Sequence, residues 1–241
     1  MQRISKGFTN QSFKDGQNFF QAKNHNNFNH KINYDQLALF DFVPKLINNN
    51  EQSIRWEWIE GHEPKINEIN LRKIASQLKV IHNSKLSFPS SNHSARVKYY
   101  IKKINEKNLK ISTINQYYKL ICKILKNMDK TTPLHNDLWL MNMIETRDKI
   151  FFVDWEYATK GDKHFDLAYF IESSKLTKEQ ESVFLEEYED FTPKYLLFHK
   201  VLVNYLVILW NNAQEIKHFE DDQFIKKIEV LVKEINDFKD N

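Results

Sequence analysis

The sequence predicts an α+β fold of two lobes: a short, β-rich N-terminal lobe and a larger, mostly helical C-terminal lobe. Short apolar runs separated by polar turns dominate residues 1–61, whereas apolar residues recur at helical spacing from Asn70 onward. Hydrophobic residues make up 41% of the 241 positions and aromatic residues 14%, which is enough for a folded core. We therefore expect lobes at residues 1–61 and 62–241.

Charge and cysteine content exclude several classes of protein. A formal net charge of +3 is too weak for a nucleic-acid binder, which would show a concentrated basic face. The single cysteine, Cys122, rules out an intramolecular disulfide, fits a reducing compartment and is expected at a buried helix position. The polar start and the short apolar run 201–210 lead us to expect a cytoplasmic protein without membrane insertion. The oligomeric state stays open.

The most informative stretch runs from His135 to Asn142 and reads H-x-D-x-x-x-x-N, with Asp137 in third place. A further carboxylate, Asp154, follows twelve residues after the asparagine. Between them, two short apolar runs flank the polar segment 145–149, which predicts a β-hairpin. A loop with Asp and Asn, a hairpin and another Asp is the layout that phosphoryl transfer from ATP uses in kinase-like folds.

Each of these residue types suits a separate part of that reaction. Asp137 can accept or orient the proton of an acceptor hydroxyl, while Asn142 and Asp154 supply hard oxygen ligands for Mg²⁺. We expect His135 to brace the loop and Asp166 to anchor the loop backbone. Taken singly, each side chain would be a solvated loop residue, so only the combination predicts a kinase-like site.

Residues of the first lobe are expected to hold the nucleotide. Gly7, Thr9 and Asn10 predict a turn whose N–H groups and small polar side chains meet phosphate oxygens, although a loosely ordered terminus explains them equally well. Lys23, at the end of a predicted strand, is either a solvated lysine or the cation against the α- and β-phosphates. In the second case Asp35 is a candidate partner, and the sequence leaves that pairing open.

Further local signals place turns, a hinge and helices. Asp15-Gly16 predicts a hairpin turn. A strand that stops at Glu60-Gly61 predicts the hinge, whose backbone receives the adenine edge in a two-lobed kinase. Helices are expected near residues 70–82, 94–104, 112–128, 167–172 and 222–238, and Thr177 begins a capping-box pattern. Thr192-Pro193 is expected to precede a long apolar helix that contains Tyr205 and Trp210.

At the central residues the sequence resembles the choline/ethanolamine kinase branch of the aminoglycoside-phosphotransferase-like family. The resemblance rests on H-N-D-L at 135–138 with Asn142, on V-D-W-E-Y-A at 153–158, and on F-D-L-A at 165–168 with Glu172. It spans most of the chain, and its specific part is residues 133–172. It implies a protein-kinase-like fold, ATP as phosphoryl donor, Mg²⁺ as cofactor and a small alcohol as acceptor.

The D-W-E-Y segment favours choline as that alcohol. In family members that phosphorylate choline, a glutamate–tyrosine pair and a later glutamate lie near the trimethylammonium group, and the matching residues here are Glu156, Tyr157 and Glu172. Aromatic faces and carboxylates hold a quaternary ammonium, which cannot donate ordinary hydrogen bonds. Trp210 is a candidate for the remaining wall, although core packing explains it equally well. The resemblance thus implies the formation of phosphocholine, a phospholipid precursor.

Other interpretations stay open at this point. The acceptor can be ethanolamine, thiamine or an aminoglycoside instead. A catalytically inactive kinase-like binding module is disfavoured because Asp137, Asn142 and Asp154 are all present. Trp139 lies in a loop where relatives usually carry small, proline or acidic residues, and the sequence offers no physical explanation for it. The short first lobe also leaves the role of Lys23 open.

Overall fold

The computed structural model describes residues 1–4 and 10–238, which form an N-terminal antiparallel sheet followed by a mostly helical body. The strands of the sheet lie in the order β1-β2-β3-β5-β4. Gly16, at φ +64°, makes the turn between β2 and β3 that the Asp-Gly pair predicts. The strand bounds are β1 Gln2–Ile4, β2 Gln11–Asp15, β3 Asn18–Ala22, β4 Leu46–Asn49 and β5 Ser53–Glu57.

The helical body is organised around one long buried helix, α6. The helix is apolar over most of its length, and α2, α3, α4 and α7 all pack against it. Tyr205 is fully buried here and donates its hydroxyl to the Ile114 carbonyl at 3.0 Å. The helix bounds are α1 Glu68–His82, α2 His93–Glu106, α3 Ser112–Asn127, α4 Lys163–Ser173, α5 Lys178–Tyr188, α6 Pro193–Ala213 and α7 Asp222–Asp237.

Local sequence signals account for several helix starts. The Thr177 side chain accepts from the Gln180 N–H while the Gln180 side chain reaches back, so the predicted capping box is present. Asn67 caps α1 by accepting from the Asn70 N–H. Pro193 occupies the first turn of α6, where its missing N–H costs nothing. The α+β division expected from the sequence is confirmed.

Short strand pairs frame the central motif. Strand β7 (Met143–Glu145) pairs antiparallel with β8 (Ile150–Phe152), which is the predicted hairpin. A second pair, β6 (Thr132–Leu134) with β9 (Thr159–Gly161), was not expected from the sequence. Each strand of that pair has three residues, too few for a periodic pattern. The two pairs together hold both ends of the central loop.

The connection between the sheet and α1 packs directly on the hairpin. His62 and Glu145 exchange backbone hydrogen bonds of 3.1 and 2.7 Å. A Cβ on Gly61 would lie 2.4 Å from the Glu145 carbonyl oxygen, so only glycine fits there. The boundary predicted near residue 61 falls in this connection, between β5 and α1.

The prediction that Cys122 is buried is wrong. On α3 the buried face carries Ile121, Ile124 and Leu125, and Cys122 lies on the exposed side of the same turn. The prediction failed because a continuous apolar run does not show which face of the helix each residue occupies. Among the described residues, no helix combines the length and apolarity that crossing a membrane requires.

A buried polar cluster joins the start of α4 to the segments around it. Asp162 caps α4 by accepting from the His164 N–H at 3.0 Å and also accepts from the Asp129 N–H at 2.9 Å. The His164 ring contributes a further contact of 2.6 Å to the same carboxylate. Burial raises the pKa of Asp162, but these hydrogen bonds and the His164 and His199 charges outweigh it, so the pKa is lowered overall.

Asp162→Asn is therefore expected to lower the free energy of unfolding by about 2 kcal/mol, because it removes a helix cap and a buried charge-assisted hydrogen bond. Since the folded-state pKa lies below the usual 3.8, the wild-type advantage should be complete above that pH and shrink as the pH falls further. Urea unfolding measures this. Asp148→Asn, in an exposed turn, is the control, and an equal loss in both variants would contradict the assignment.

Candidate active site

A cleft with a cavity volume of about 650 Å³ lies between the sheet and the helical body. Side chains of both parts and of the connection between them line it. Asp137, Asn142 and Asp154 lie on its helical side, and Gln21 lies on the sheet side. The three motif residues that the sequence singled out for the reaction thus meet in one cavity.

The loop that carries Asp137 is anchored from below by Asp166. One carboxylate oxygen of Asp166 accepts from the His135 N–H at 2.7 Å, and the other accepts from the Asn136 N–H at 2.8 Å. Burial raises the pKa of Asp166, but the hydrogen bond and the charge of His82 and the hydrogen bond from the His135 N–H lower it overall. A fully buried carboxylate is thereby kept ionised as a backbone acceptor.

His135 ties the loop to the end of the hairpin. Its Nε2 donates to the Val153 carbonyl at 2.9 Å, and its Nδ1 accepts from the Asp137 N–H at 3.3 Å. The ring lies 4.6 Å from the Trp155 ring, and burial lowers the pKa of the imidazole. The bracing role expected for His135 fits a neutral ring with both nitrogens engaged.

The Asp137 carboxylate is held by two side chains. Asn142 Nδ2 donates to Asp137 Oδ2 at 3.0 Å and to the Asp137 carbonyl at 2.8 Å. The Tyr169 hydroxyl donates to Asp137 Oδ1 at 2.6 Å. These contacts fix the direction of the carboxylate, and the Oδ1 atom of Asn142 accepts no hydrogen bond among the described residues.

Asp154 follows the hairpin in a left-handed backbone conformation, with φ 61° and ψ 58°. Aspartate is one of the few residues that tolerate this region, which turns its side chain towards Asp137. Burial and the charge of Asp137 raise the pKa of Asp154 to about 7, and a hydrogen bond from Gln21 opposes the rise. No lysine, arginine or histidine of the described chain forms an ion pair with Asp137 or Asp154.

This donor set fits a divalent cation. Clustered carboxylates without a protein counter-charge, beside a free amide oxygen, are the hard ligands that Mg²⁺ prefers. The raised pKa of Asp154 reports the same repulsion, which a bound cation would relieve. Asn142 and Asp154, the two ligands expected from the sequence, are the residues of this set that would hold such an ion.

Glu156 and Tyr157 continue from Asp154 and border the first lobe. Glu156 Oε2 accepts from Asn29 Nδ2 at 2.7 Å and lies 3.3 Å from His30 Nε2. Burial and the charge of Asp154 raise the pKa of Glu156 to about 8. The Tyr157 hydroxyl accepts from Asn26 at 3.2 Å. Both residues line the cleft, but Glu156 is engaged by the segment 24–30.

The opposite end of the cleft is built from α4 and α6. Glu172 has a side chain 7% exposed, accepts from Asn204 Nδ2 at 2.9 Å and lies 3.5 Å from Lys227 Nζ. Trp210 is half-buried and stacks on His218 and Phe219 at centroid distances of 5.2 and 6.3 Å. Four aromatic side chains line this end together with Glu172: Trp139, Tyr169, Trp210 and Phe219.

Trp139, which the sequence left unexplained, is part of the wall of the cleft. It is half-buried in the cleft wall and directly precedes the single 3₁₀ turn Leu140–Asn142. A flat aromatic face at this point adds apolar surface beside the Asp137 carboxylate.

The pairing of Lys23 with Asp35, which the sequence left open, is not present in the structure. Lys23 Nζ donates to Asn49 Oδ1 at 2.6 Å and to the Asn50 carbonyl at 2.7 Å. Asp35 is exposed in the short 3₁₀ helix Tyr34–Leu39, and the residue of this helix that lies near Lys23 is Tyr34, whose ring centre is 5.5 Å from Lys23 Nζ. Gln21, two residues before Lys23 on the same face of β3, is the side chain that reaches Asp154.

Only some of the other residues expected to bind the nucleotide line the cleft. Asn10 lines the cleft, and its Oδ1 accepts from the Asn24 N–H at 2.8 Å. The Glu60 side chain is exposed and accepts from Trp58 and Lys14 at 2.8 and 3.3 Å. The backbone beside it, at Gly61, borders the cleft. Gly7 and Thr9 lie outside the described residues.

Besides Gln21, sequence reasoning missed Tyr169 and Arg96, which also line the cleft. Tyr169 lies three residues after Asp166 and three before Glu172, so the helical spacing of α4 places all three on neighbouring positions of one face. That spacing was a usable signal. Arg96, on α2, also lines the cleft. It lies seventy positions before Asp166 in the chain, and no local sequence pattern indicates that it reaches the site.

Comparisons with known proteins agree with this geometry. The profile of the phosphotransferase enzyme family (APH) matches residues 31–196. The chain is 51% identical over 226 residues to a protein named LicA homolog from Mycoplasma capricolum, which covers 94% of this chain and 95% of that one. A LicA homolog from Metamycoplasma hominis is 45% identical over 243 residues and covers 98% of both chains.

Solved structures share the fold at low identity. The crystal structure of choline kinase LicA from Streptococcus pneumoniae matches with a TM-score of 0.77 at 21% identity, covering 99% of this chain and 95% of that one. A structure of LicA in complex with AMP matches with a TM-score of 0.77 at 20% identity, covering 99% and 92%. The expected family and fold are confirmed: the chain belongs to the phosphotransferase enzyme family and has the two-lobed protein-kinase-like fold.

Proposed function

We propose that this protein is a kinase that transfers the γ-phosphoryl group of ATP to the hydroxyl of choline, forming phosphocholine and ADP. One observation carries the proposal. The Asp137 carboxylate, oriented by Tyr169, lines the same cleft as a buried glutamate, Glu172, and a wall of aromatic rings. The names of the relatives, LicA homologs and a choline kinase LicA, support the choice of acceptor.

Asp137 acts on the acceptor hydroxyl. Its carboxylate accepts a hydrogen bond from that hydroxyl and takes its proton as the oxygen–phosphorus bond forms and the bond to the β-phosphate oxygen breaks. Tyr169 and Asn142 hold the carboxylate so that one orientation is kept throughout. Phosphoryl transfer needs little more from the protein than alignment and charge neutralisation.

Asn142 and Asp154 are proposed to hold Mg²⁺, which would neutralise charge on the phosphate oxygens. The protein contributes the position of these ligands. The left-handed backbone of Asp154 turns its carboxylate into the cleft. Asn142 uses its Nδ2 to donate to Asp137, which leaves the Asn142 Oδ1 atom available as a ligand. The nucleotide base is proposed to meet the backbone near Gly61, which borders the cleft.

The amine end of the acceptor is proposed to lie against Glu172 and Trp210. A quaternary ammonium has no N–H, so a carboxylate at short range and aromatic faces are the groups that bind it. Glu172 is buried, which strengthens its field, and Asn204 fixes its orientation. Glu156 is proposed to act through Asp154 because its contacts are with Asn29 and His30.

Asp137→Asn is expected to lower kcat by about 10²–10⁴, the range that a positioned proton acceptor contributes. ATP affinity should stay close to that of the wild type, because Asp137 contacts the acceptor. Coupled measurement of ADP release with choline, and nucleotide titration by calorimetry, check both points. Asp148→Asn is the matched control, and full activity in Asp137→Asn would contradict the role assigned to this residue.

Removal of divalent cations is expected to abolish turnover, and added Mg²⁺ should restore it. In Asp154→Asn the Mg²⁺ concentration for half-maximal rate should rise at least about tenfold, since one charged ligand is lost. Rates measured across a Mg²⁺ titration in wild type, Asp154→Asn and Asp148→Asn give the comparison. An unchanged Mg²⁺ requirement in Asp154→Asn would show that the cation is held elsewhere.

Trp210→Ala and Glu172→Gln are each expected to raise the KM for choline about tenfold, because a desolvated cation–π contact contributes roughly 1–2 kcal/mol. Ethanolamine should lose less in Trp210→Ala, since its N–H groups can still bond to Glu172. Initial rates with both acceptors test this, with Tyr118→Ala and Glu234→Gln as exposed controls. Wild-type turnover that is faster with ethanolamine than with choline would overturn the choice of acceptor.

A further inference from the structure

Arg96 borders the cleft with part of its guanidinium group unpaired. Its Nε and Nη1 atoms are buried and find no hydrogen-bond acceptor among the described residues. Arginine stays protonated in proteins, so burial cannot be relieved by loss of the charge. Leaving charged donors buried and unpaired is costly, and native structures seldom do so without a ligand. The two unpaired N–H groups of Arg96 are therefore a candidate binding position for an anionic ligand.

Arg96 lies at the reacting end of the cleft. Its Cζ is 5.2 Å from the centre of the Tyr157 ring. Its charge acts on the hydroxyls of Tyr100, Tyr157 and Tyr169, and Tyr100 also forms a hydrogen bond with the guanidinium group. The Tyr169 hydroxyl in turn donates to Asp137 at 2.6 Å. Arg96 is thus on the side of the cleft where an acceptor hydroxyl would meet Asp137.

Helix α4 gives the distance between the two ends of the acceptor site. Tyr169, beside Asp137 and Arg96, and Glu172, at the amine end, are three residues apart on the same face. Three residues advance a helix by about 4.5 Å. A short spacer, such as the two carbons of an amino alcohol, spans this separation, with an anion at one end and a cation at the other.

We propose that Arg96 binds the phosphoryl group on the acceptor side of the cleft and holds the oxygens of the phosphomonoester product. The proposal rests on the proposed function for the identity of the acceptor. It gives Arg96 a role that the free alcohol does not use: the cationic acceptor gains nothing from a neighbouring guanidinium, whereas its phosphorylated form brings the missing anion. Arg96 therefore distinguishes product from substrate.

The test compares three variants on α2 with the wild type. Arg96→Met keeps the apolar stem and removes the charge, and Arg96→Lys keeps the charge without the fixed guanidinium donors. Lys98→Met removes an exposed charge two residues away and is the matched control. Calorimetry measures the Kd of phosphocholine, choline, inorganic phosphate, ATP and ADP, and thermal unfolding reports any loss of the fold.

Arg96→Met is expected to weaken phosphocholine binding at least about tenfold, with choline binding unchanged or tighter. Arg96→Lys should be intermediate, and Lys98→Met should match the wild type. If Arg96→Met weakened the binding of choline and phosphocholine equally, Arg96 would only pack in the wall of the cleft. If it did not weaken phosphocholine binding, the phosphoryl group would not be the ligand of Arg96. A loss for ATP but not for ADP would assign it to the nucleotide. Each of these three results overturns the proposal.

Failure of the proposed function gives a different result. In that case the wild type shows no acceptor-dependent ADP release with choline and binds neither choline nor phosphocholine. Inorganic phosphate then tests Arg96 alone: weaker phosphate binding in Arg96→Met than in both wild type and Lys98→Met supports an anion site. Equal phosphate binding in all three proteins overturns it.

Discussion

The carboxylate of Asp166 is the constraint on which the site depends. It accepts the backbone N–H groups of His135 and Asn136 with its two oxygens and is fully buried. Removing either partner would leave a buried charge or buried donors unpaired, at a cost of several kcal/mol. The loop position of Asp137 is therefore set from the start of α4, the helix that also supplies Tyr169 and Glu172. One helix thus fixes both ends of the acceptor site.

Charge balance in the cleft is the second organising feature. Asp137, Asp154 and Glu156 lie close enough that the pKa values of Asp154 and Glu156 are raised by burial and by their neighbours. Such a cluster is unfavourable in the free protein, and cations relieve it. Binding of a metal and of a metal-bound nucleotide would therefore be coupled through these carboxylates. Arg96, whose buried Nε and Nη1 atoms find no acceptor among the described residues, adds a complementary position for an anion.

The sequence predicted the parts of the site whose residues are close together in the chain. The spacing from His135 to Asp154 gave the loop and hairpin, and Thr177 gave a helix start. It failed where the outcome depends on distant segments. Lys23 reaches Asn49 at the end of β4 because the chain after β3 runs beside the turn that joins β4 to β5. Arg96 reaches the cleft through the packing of α2 on α6. Cys122 shows that an apolar run does not define a helix face.

The central claim is that Asp137 and the aromatic, acidic end of the cleft together phosphorylate choline. The most direct measurement is phosphorus NMR of the purified protein with ATP, Mg²⁺ and choline, with Asp137→Asn and Asp148→Asn in parallel. The account predicts a phosphocholine signal that grows with ADP in the wild type and in Asp148→Asn, and a rate lowered about 10²–10⁴-fold in Asp137→Asn. Consumption of ATP without a phosphocholine signal, or equal rates in all three proteins, would contradict it.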